Sequence, residues 1–367
     1  SLQFSVTLSQ AAYDNVLSSA VLGLSANTTA LALDNNFVTD VAQPSANSFA
    51  ALTALVPTTF AGDEVPVELL TNARLDLSNG ILNVEFSEPV ELDSISPSAL
   101  MIQGSASLPS SAGVGLVEWR GDTLEPTEVT VLRLSENTTV VYTEDLSDAT
   151  RPNTARPNHS KRYVSFELVR ADVRVLKVSP FLLSDATGSA FLACDSELAQ
   201  DRSGNDVVPV ASASAIAVAT VAPDTASPRL EAARLDLDQG LLHLFFDDVV
   251  ALNSITPAAV SLQSTQASQA GSTVTFQFTD ADTSVLVQGI TDGYSATIVF
   301  GASDLNLLKA KLDGLALSPS NTFLSITTLA AEDVYGNPVV AVPASSALQV
   351  SSVQPDTTAG FLVEFGF

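Results

Sequence analysis

The chain has 367 residues, 46% of them hydrophobic, and this length predicts two or three domains with cores of ordinary size. Its 15 basic and 41 acidic side chains give a formal net charge of −26, which argues against nucleic acid or an anionic membrane surface as a partner. The single cysteine, Cys194, excludes an intrachain disulfide framework, and no apolar run approaches the roughly 18–20 residues of a membrane span.

The first residues of the chain have the pattern of the second half of a repeated module. Residues 5–33 consist of a β-like run, a short helix and another β-like run, and this order returns at 173–198 and 297–326. Each block is followed by a turn: DNNFVTDV (34–41), DRSGNDVV (201–208) and DVYGNPVV (333–340). We therefore expect residues 1–62 to be the C-terminal half of an immunoglobulin-like module.

Two stretches 160 residues apart define the start of the complete modules. Residues 73–103 and 233–263 are identical at 15 of 31 aligned positions and both begin with ARLDL. A repeat in fixed order indicates an array of one structural unit. The predicted boundaries are a complete module at 63–223 with a basic insertion at about 118–173, a complete module at 224–355, and the opening strand of a further module, or a donor strand, at 356–367.

The strands show alternation with period two. In ILNVEFSEPV, Leu82, Val84 and Phe86 are predicted to face the core, while Asn83 and Glu85 are predicted to face solvent. The second copy repeats the pattern, and the preceding Asn-Gly and Gln-Gly pairs favour tight hairpin turns.

Further β-like runs follow at 273–280, 283–290 and 294–300. Regularly spaced short strands with turn signals and one brief helix predict an all-β fold of tandem immunoglobulin-like antiparallel β-sandwiches, each with one short helix. The order LDL..G.L.L.F.EPV, SI.P.A..LQ, helix and D..GN.V resembles the immunoglobulin-like modules of bacterial surface-layer proteins and the repeats of giant secreted proteins of algae and protists. The resemblance covers essentially the whole chain and implies an extracellular structural or adhesive role without a catalytic assignment.

The sequence offers little material for catalysis. His159 lies in a polar loop, and His243 occupies a strand position predicted to point outward. A hydrolase would gather such histidines with carboxylates in a cleft, and no Gly-rich phosphate loop, HExxH or CxxC motif is present. We therefore predict that the protein is not an enzyme and has no catalytic residues.

Three Asn-x-Ser/Thr sequons lie in polar, loop-like stretches. They begin at Asn27, Asn137 and Asn158, and each is a glycosylation candidate in a secreted eukaryotic chain. Three sequons in a chain of this length are also close to chance expectation, so each one alone is a weak signal.

Calcium is the cofactor to consider for an acidic array of β-modules. The candidate ligands are Asp280 and Asp282 in FTDADT, with Asp236 and Asp238 in LDLDQG. Their spacings match neither an EF-hand nor the nonapeptide repeat, and turn chemistry explains Asp236. A solvated acidic surface is the favoured interpretation, so no metal and no cofactor is predicted.

The insertion and the tail are the candidate assembly elements. A cationic loop can dock on an acidic neighbouring copy, although an ordinary solvated loop explains the same composition. The tail can add a strand to the open half-module of another molecule, and the alternative is that the chain is a window cut from a longer repeat protein. The residues concerned are Arg151, Arg156, Lys161 and Arg162 in the insertion, and Phe361, Val363, Phe365 and Phe367 in the tail.

These observations predict an extracellular or cell-surface structural protein, a repeat-module building block of a surface filament, flagellar hair or cell coat. Its expected partners are copies of itself, in head-to-tail or lateral assembly, and glycans, with no nucleic acid and no membrane insertion in this segment. The alternative is an adhesin or stalk that binds a glycan or receptor. Trp119 and five tyrosines are few aromatics for stacking on sugars.

Overall fold

The computed structural model forms two compact units, Ser1–Pro223 and Asp224–Phe367. Strands in several sheets dominate both units, so the all-β class predicted from the sequence is confirmed. The structure describes residues 5–19, 22–35, 37, 51–107, 118–119, 130–143, 161–179, 182–183, 189–268, 271, 273–279, 284–286, 293–311 and 314–358, with the backbone alone at 52–53, 118–119 and 284–286.

The N-terminal segment and the first module (residues 63–223) make up the first unit. The segment contains helix α1 (Gln10–Ser18) and the paired strands β1 (Leu31–Leu33) and β2 (Leu52–Leu55). The module contains β3 (Arg74–Asp76), β4 (Ile81–Glu85), β5 (Leu100–Gln103), β6 (Glu118–Trp119), β7 (Val131–Arg133), β8 (Thr139–Tyr142), β9 (Tyr163–Glu167), α2 (Arg170–Val178), β10 (Phe191–Cys194), β11 (Ile216–Ala217) and β12 (Thr220–Ala222).

Residues 224–355, which we call the second module, contain a counterpart of each of these elements except β6. It contains β13 (Leu230–Asp236), β14 (Leu241–Phe246), β15 (Val260–Gln263), β16 (Thr275–Gln277), β17 (Ser284–Leu286), β18 (Ser295–Val299), α3 (Ala302–Lys309), β19 (Phe323–Ile326), β20 (Leu348–Gln349) and β21 (Ser352–Gln354). Short 3₁₀ turns lie at Leu92–Ser94, Pro97–Ala99, Ser196–Leu198, Ser212–Ser214, Leu252–Ser254, Pro257–Ala259, Pro319–Asn321 and Ala344–Ser346.

Both modules pair their strands in the same order. One sheet runs β12-β3-β4-β9-β8 in the first module and β21-β13-β14-β18-β17 in the second. The other runs β11-β10-β5-β7-β6 and β20-β19-β15-β16. Apolar side chains from both sheets share one core in each module, so the internal repeat of the sequence is a repeat of the structure.

The edge strands depart from the predicted antiparallel pairing. The last strand of each module, β12 or β21, lies parallel to the first strand, β3 or β13, and β6 is parallel to β7. The prediction of purely antiparallel sheets is therefore wrong at these edges. The reason is a crossing between sheets: β11 ends in one sheet, and after two residues β12 begins beside β3 in the other.

The core-facing half of the predicted alternation is confirmed. Leu82, Val84 and Phe86 are completely buried. The solvent-facing half is wrong, since Asn83 is 1% exposed and Glu85 is 7% exposed. The outer face of β4 is covered by polar contacts: the Ser165 hydroxyl donates to Asn83, and the guanidinium of Arg162 lies 2.9 Å from Glu85.

His243, the counterpart of Asn83 in the second module, was also predicted to point outward and is also less exposed than predicted. It is partly buried, and its Nδ1 lies 2.9 Å from the hydroxyl of Thr297, which is itself 4% exposed. Cys194 is buried, and burial raises the pKa of its thiol to about 11.

Repeated hydrogen bonds fasten the D..GN turn of each module to the SI.P loop. Ser94 Oγ accepts from the Gln200 N–H at 2.8 Å, and Ser254 Oγ accepts from the Glu332 N–H at the same distance. Because Gln200 and Glu332 directly precede the turns, each turn has a fixed place beside the loop that follows β4 or β14.

Gly80 is required by both its backbone angle and its surroundings. Its φ is +64°, and a Cβ there would lie 2.7 Å from Cγ2 of Val173. Gly80→Ala should lower the free energy of unfolding of the first unit by about 2–4 kcal/mol, the sum of left-handed strain and overpacking. Chemical denaturation followed by Trp119 fluorescence measures this loss.

Gly204→Ala is the matched control, because its φ is +87° and no atom lies within 4 Å of the added Cβ. It should cost only the backbone strain, about 1 kcal/mol. Equal losses in the two variants would contradict the packing role of Gly80.

Candidate metal centres

Acidic side chains occupy three equivalent positions in the two modules. Asp63 and Asp224 are 161 residues apart at the module openings, and Glu88 and Asp248 are 160 apart, after β4 and β14. The third pair, Asp201 and Asp333, begins the two D..GN turns. Each module therefore carries the same three acidic positions on three segments that are distant in sequence.

The D..GN turn holds its aspartate rigidly. In the second module, Asp333 Oδ1 accepts from the backbone N–H groups of Tyr335 and Asn337 at 2.8 and 2.7 Å, and its Oδ2 accepts from Asn337 Nδ2 at 2.7 Å. Gly336 provides the left-handed residue of the turn, with φ +85°. The aspartate is thus fixed by a two-sided contact with the asparagine.

The first module repeats this turn. Asp201 accepts from the Asn205 N–H at 2.8 Å and from Asn205 Nδ2 at 2.7 Å, with Gly204 at φ +87°. The asparagine also donates to the carbonyl oxygen of Asp63 at 3.2 Å, as Asn337 does to that of Asp224 at 3.1 Å. One asparagine side chain therefore ties each turn to the opening residue of its module.

The three acidic groups of each module converge. Site 1 consists of Asp63, Glu88 and Asp201, and Site 2 consists of Asp224, Asp248 and Asp333. In each site, one carboxylate oxygen from every member lies within 4.8 Å of the others. Glu88 is 4% exposed, Asp201 6%, Asp224 4% and Asp333 2%, so most of the charge is withdrawn from water.

This arrangement raises the proton affinity of Site 1. Burial, followed by the charges of Asp63 and Asp201, raises the pKa of Glu88 to about 7. Tyr13 of α1 lies near the same charges, and its pKa is raised by burial and then by Asp63, Glu88, Asp14 and Asp201. Clustered carboxylates of this kind either share a proton or hold a cation, and carboxylate oxygens are the donors that hard divalent cations prefer.

Tyr335 stands beside Site 2 as Tyr13 stands beside Site 1. Burial, together with the charges of Asp224, Asp333 and Asp248, raises the pKa of Tyr335 to about 12. Each site thus has a tyrosine ring within electrostatic range. Tyr13 belongs to α1, whereas Tyr335 belongs to the D..GN turn that also contains Asp333.

The aspartates selected from the sequence for calcium serve other contacts where the structure describes them. Asp236 Oδ1 accepts from the Gln239 N–H at 2.9 Å, within the hairpin turn. Asp238 Oδ1 accepts from the N–H and hydroxyl of Thr357, which lowers the pKa of Asp238. Asp280 and Asp282 lie outside the described residues.

The other predicted sites are partly described. Asn27 and Asn137 are exposed in turns, as a glycosylation acceptor requires, and Asn158 lies outside the described residues. Of the insertion, Lys161 pairs with Glu91 at 3.2 Å, and Arg162 pairs with Glu85 at 2.9 Å and with Asp14 at 3.6 Å. The remaining assembly candidates lie outside the described residues: Arg151, Arg156, Phe361, Val363, Phe365 and Phe367.

An open cleft of about 760 Å³ lies in the first module, and its lining includes none of the three Site 1 residues. Its lining includes Arg133, Asp172 and Asp195, and the Arg133–Asp195 ion pair spans 2.8 Å. Asp172 accepts from the Ser135 N–H at 2.8 Å, and burial raises its pKa to about 6.

Sequence reasoning missed both acidic sites. The acidic residues selected as calcium candidates were close together in sequence, whereas the members of Site 1 are separated by up to 138 residues. A signal was present: Glu88 aligns with Asp248 in the repeat, and each D..GN turn begins with an aspartate.

Comparison with solved structures finds the bacterial surface-layer protein SbsC. Its domains 1–6 share 10% identity with this chain, covering 65% of this chain and 26% of that one, with a TM-score of 0.22. The N-terminal part of SbsC shares 10% identity, covering 64% of this chain and 44% of that one, with a TM-score of 0.21. A longer SbsC structure shares 12% identity, covering 78% of this chain and 38% of that one, with a TM-score of 0.22.

The chain spans less than half the length of each SbsC structure, and TM-scores this low carry no argument about fold or function. No protein-family model and no curated protein matches the chain. Over the part of the chain that the structure describes, no helix has the length and apolarity to cross a membrane.

Glu88 should make the first unit less stable as pH rises. Its pKa is about 7 in the folded chain against an ordinary 4.5, so between these values the folded state holds a proton that the unfolded state has lost. In a chelating buffer, the free energy of unfolding should therefore fall from about pH 4.5 to about pH 7, and Glu88→Gln should remove this part of the decline.

Denaturation at a series of pH values measures the effect, and the difference between wild type and variant separates Glu88 from other titrating groups such as Asp172. Glu68→Gln, at an exposed position, is the control and should retain the wild-type profile. An unchanged profile in Glu88→Gln would contradict the shifted pKa.

Proposed function

We propose that the chain is a structural array of immunoglobulin-like β-sandwich modules from an extracellular or cell-surface protein. The supporting observation is the repetition of strand order, apart from β6, in two consecutive modules, each built from two sheets around one core. Such arrays extend a chain by adding similar units. The product of assembly is a surface filament, flagellar hair or cell coat made of copies of this protein.

The position of the chain ends within each module supports this role. Because β3 and β12 are adjacent and parallel, the chain enters their sheet at one end and leaves at the other. The pair β13 and β21 has the same arrangement. Modules with this property can follow one another without a long return connection.

Surface chemistry agrees with an extracellular setting. The net charge of −26 keeps the chain soluble, and Asn27 and Asn137 present their side chains to solvent for glycan attachment, with Asn158 proposed as a third acceptor. For lateral contacts, Arg151 and Arg156 are the better candidates, since Lys161 and Arg162 already pair with acidic groups of their own chain.

The second candidate is an adhesin or stalk that binds a glycan or receptor. The observation in its favour is the cleft beside Arg133, which offers charged and hydroxyl groups on one open surface. Binding to a glycan array that is lost in Arg133→Ala would support this candidate over a purely structural role.

Localisation tests the principal proposal. Antibodies against this chain should label intact, unpermeabilised cells and the filaments or coat isolated from them, as seen by immunoelectron microscopy. Labelling confined to permeabilised cells would contradict the extracellular assignment.

Strand donation by the tail gives a prediction for assembly. Phe361, Val363, Phe365 and Phe367 alternate along 361–367, so an added strand would bury all four on one face. Val363→Asp should abolish concentration-dependent oligomers in sedimentation velocity, because it places a charge on that face.

Glu364→Gln is the control on the opposite face and should assemble like the wild type. Identical sedimentation of Val363→Asp and the wild type would rule out tail exchange as the assembly contact, without affecting the localisation result.

A further inference from the structure

We propose that each module binds one calcium ion, held by Asp63, Glu88 and Asp201 in Site 1 and by Asp224, Asp248 and Asp333 in Site 2. The proposal does not depend on the structural role above, since it concerns the chemistry within a module. It is argued from a buried acceptor, from repetition, and from the convergence of three carboxylate oxygens in each module.

The buried acceptor is Oε2 of Glu88. This oxygen is withdrawn from solvent and accepts no hydrogen bond from a described donor group, in a side chain that is 4% exposed. The carboxyl group of Asp63 can bond to Glu88 only when one of the two acids is protonated. A buried carboxylate oxygen without a partner is costly, because it has lost its water and gained nothing in return. The Glu88 carboxylate converges with two further carboxylates, and a cation between them supplies the missing interaction.

Repetition separates this cluster from a chance grouping of acids. The two modules share about half of the residues in their opening stretch, yet both place carboxylates at all three positions. The positions also tolerate Glu or Asp, at 88 and 248, which preserves an oxygen donor while the side-chain length changes. The shared property of the two sites is therefore the convergence of carboxylate oxygens.

The geometry fits calcium. Calcium takes six to eight oxygens at about 2.3–2.6 Å, so oxygens on its opposite sides lie roughly 5 Å apart. The oxygens of each site lie within 4.8 Å of one another. Opposite oxygens around magnesium lie roughly 4 Å apart, which this limit also allows, so the distances do not separate the two ions. Magnesium, however, requires a strict octahedron, which three segments fixed by other contacts satisfy less readily than the flexible coordination of calcium.

The ion would join the opening residue of each module to two other segments of the same module. In Site 2 it joins Asp224, the opening residue, to Asp248 after β14 and to Asp333 in the D..GN turn. The hydrogen bond from Asn337 to Asp224 already brings the opening residue to this turn. Calcium replaces repulsion among the three carboxylates by attraction to a common charge, so the opening segment becomes more firmly held when the ion is bound.

Isothermal titration of the full chain with CaCl₂, after dialysis against a chelator, tests the proposal. We expect two ions per chain in the wild type, one in Glu88→Gln and one in Asp248→Asn, and none in the double variant over the same range. Asp247→Asn, the exposed neighbour of Asp248, is the control and should bind two.

Thermal unfolding provides a readout that a purely structural residue would not give. Glu88→Gln should unfold at a higher temperature than the wild type in chelator, because it removes repulsion, and at a lower temperature in saturating calcium. The difference in unfolding temperature between variant and wild type thus changes sign with calcium, as expected for a residue that binds the ion. A variant that is less stable under both conditions, with an unchanged calcium stoichiometry, would overturn the assignment of Glu88.

Terbium(III), used in place of calcium, assigns the second site. Tyr335 lies in electrostatic range of Site 2, so its excitation should sensitise terbium emission, and Tyr335→Phe should lose that part of the emission while still binding two calcium ions. The proposal would be overturned if millimolar CaCl₂ gave no heat of binding and no change in the unfolding temperature. Equal stabilisation by NaCl at matched ionic strength, or equal binding of MgCl₂, would also overturn it.

Discussion

The structure depends most on the contact between the aspartate and the asparagine of the D..GN turn. The asparagine side chain bonds both to the turn aspartate and to the carbonyl of the residue that opens the module. This contact brings the opening residue of the module beside the D..GN turn, and the carboxylates of the opening residue and the turn then lie close together. The charge density of each site is therefore a consequence of how the module is closed, and the repeat carries it to every copy.

Much of the fold was accessible from the sequence because its signals are local or periodic. The repeat, the hairpin glycine at Gly80 and the buried positions of β4 all follow from spacing alone. The burial of the outward-facing positions of β4 could not be predicted in this way. Period-two alternation assigns side chains to two faces of a strand, but it does not show what packs against the second face. Asn83 and Glu85 are buried by Ser165 and Arg162, which belong to distant parts of the chain.

The same limit explains what was missed at the candidate sites. Asp63, Glu88 and Asp201 come from three segments, and only folding shows that their oxygens converge. Spacing within a single loop, which identifies an EF-hand, has no counterpart here. The parallel edge strands were missed for a related reason: strand direction depends on the crossing from β11 to β12, and no local pattern in the residues between them specifies it.

The parallel pairing of first and last strands has a mechanical consequence. When a chain of such modules is pulled from its ends, the force acts along β13 and β21 in opposite directions, across the evenly spaced, slanted hydrogen bonds of a parallel pair. Those bonds are loaded together in shear and must break almost simultaneously, whereas a hairpin pulled at its open end unzips one bond at a time. Each module is thus built to bear tension along its length.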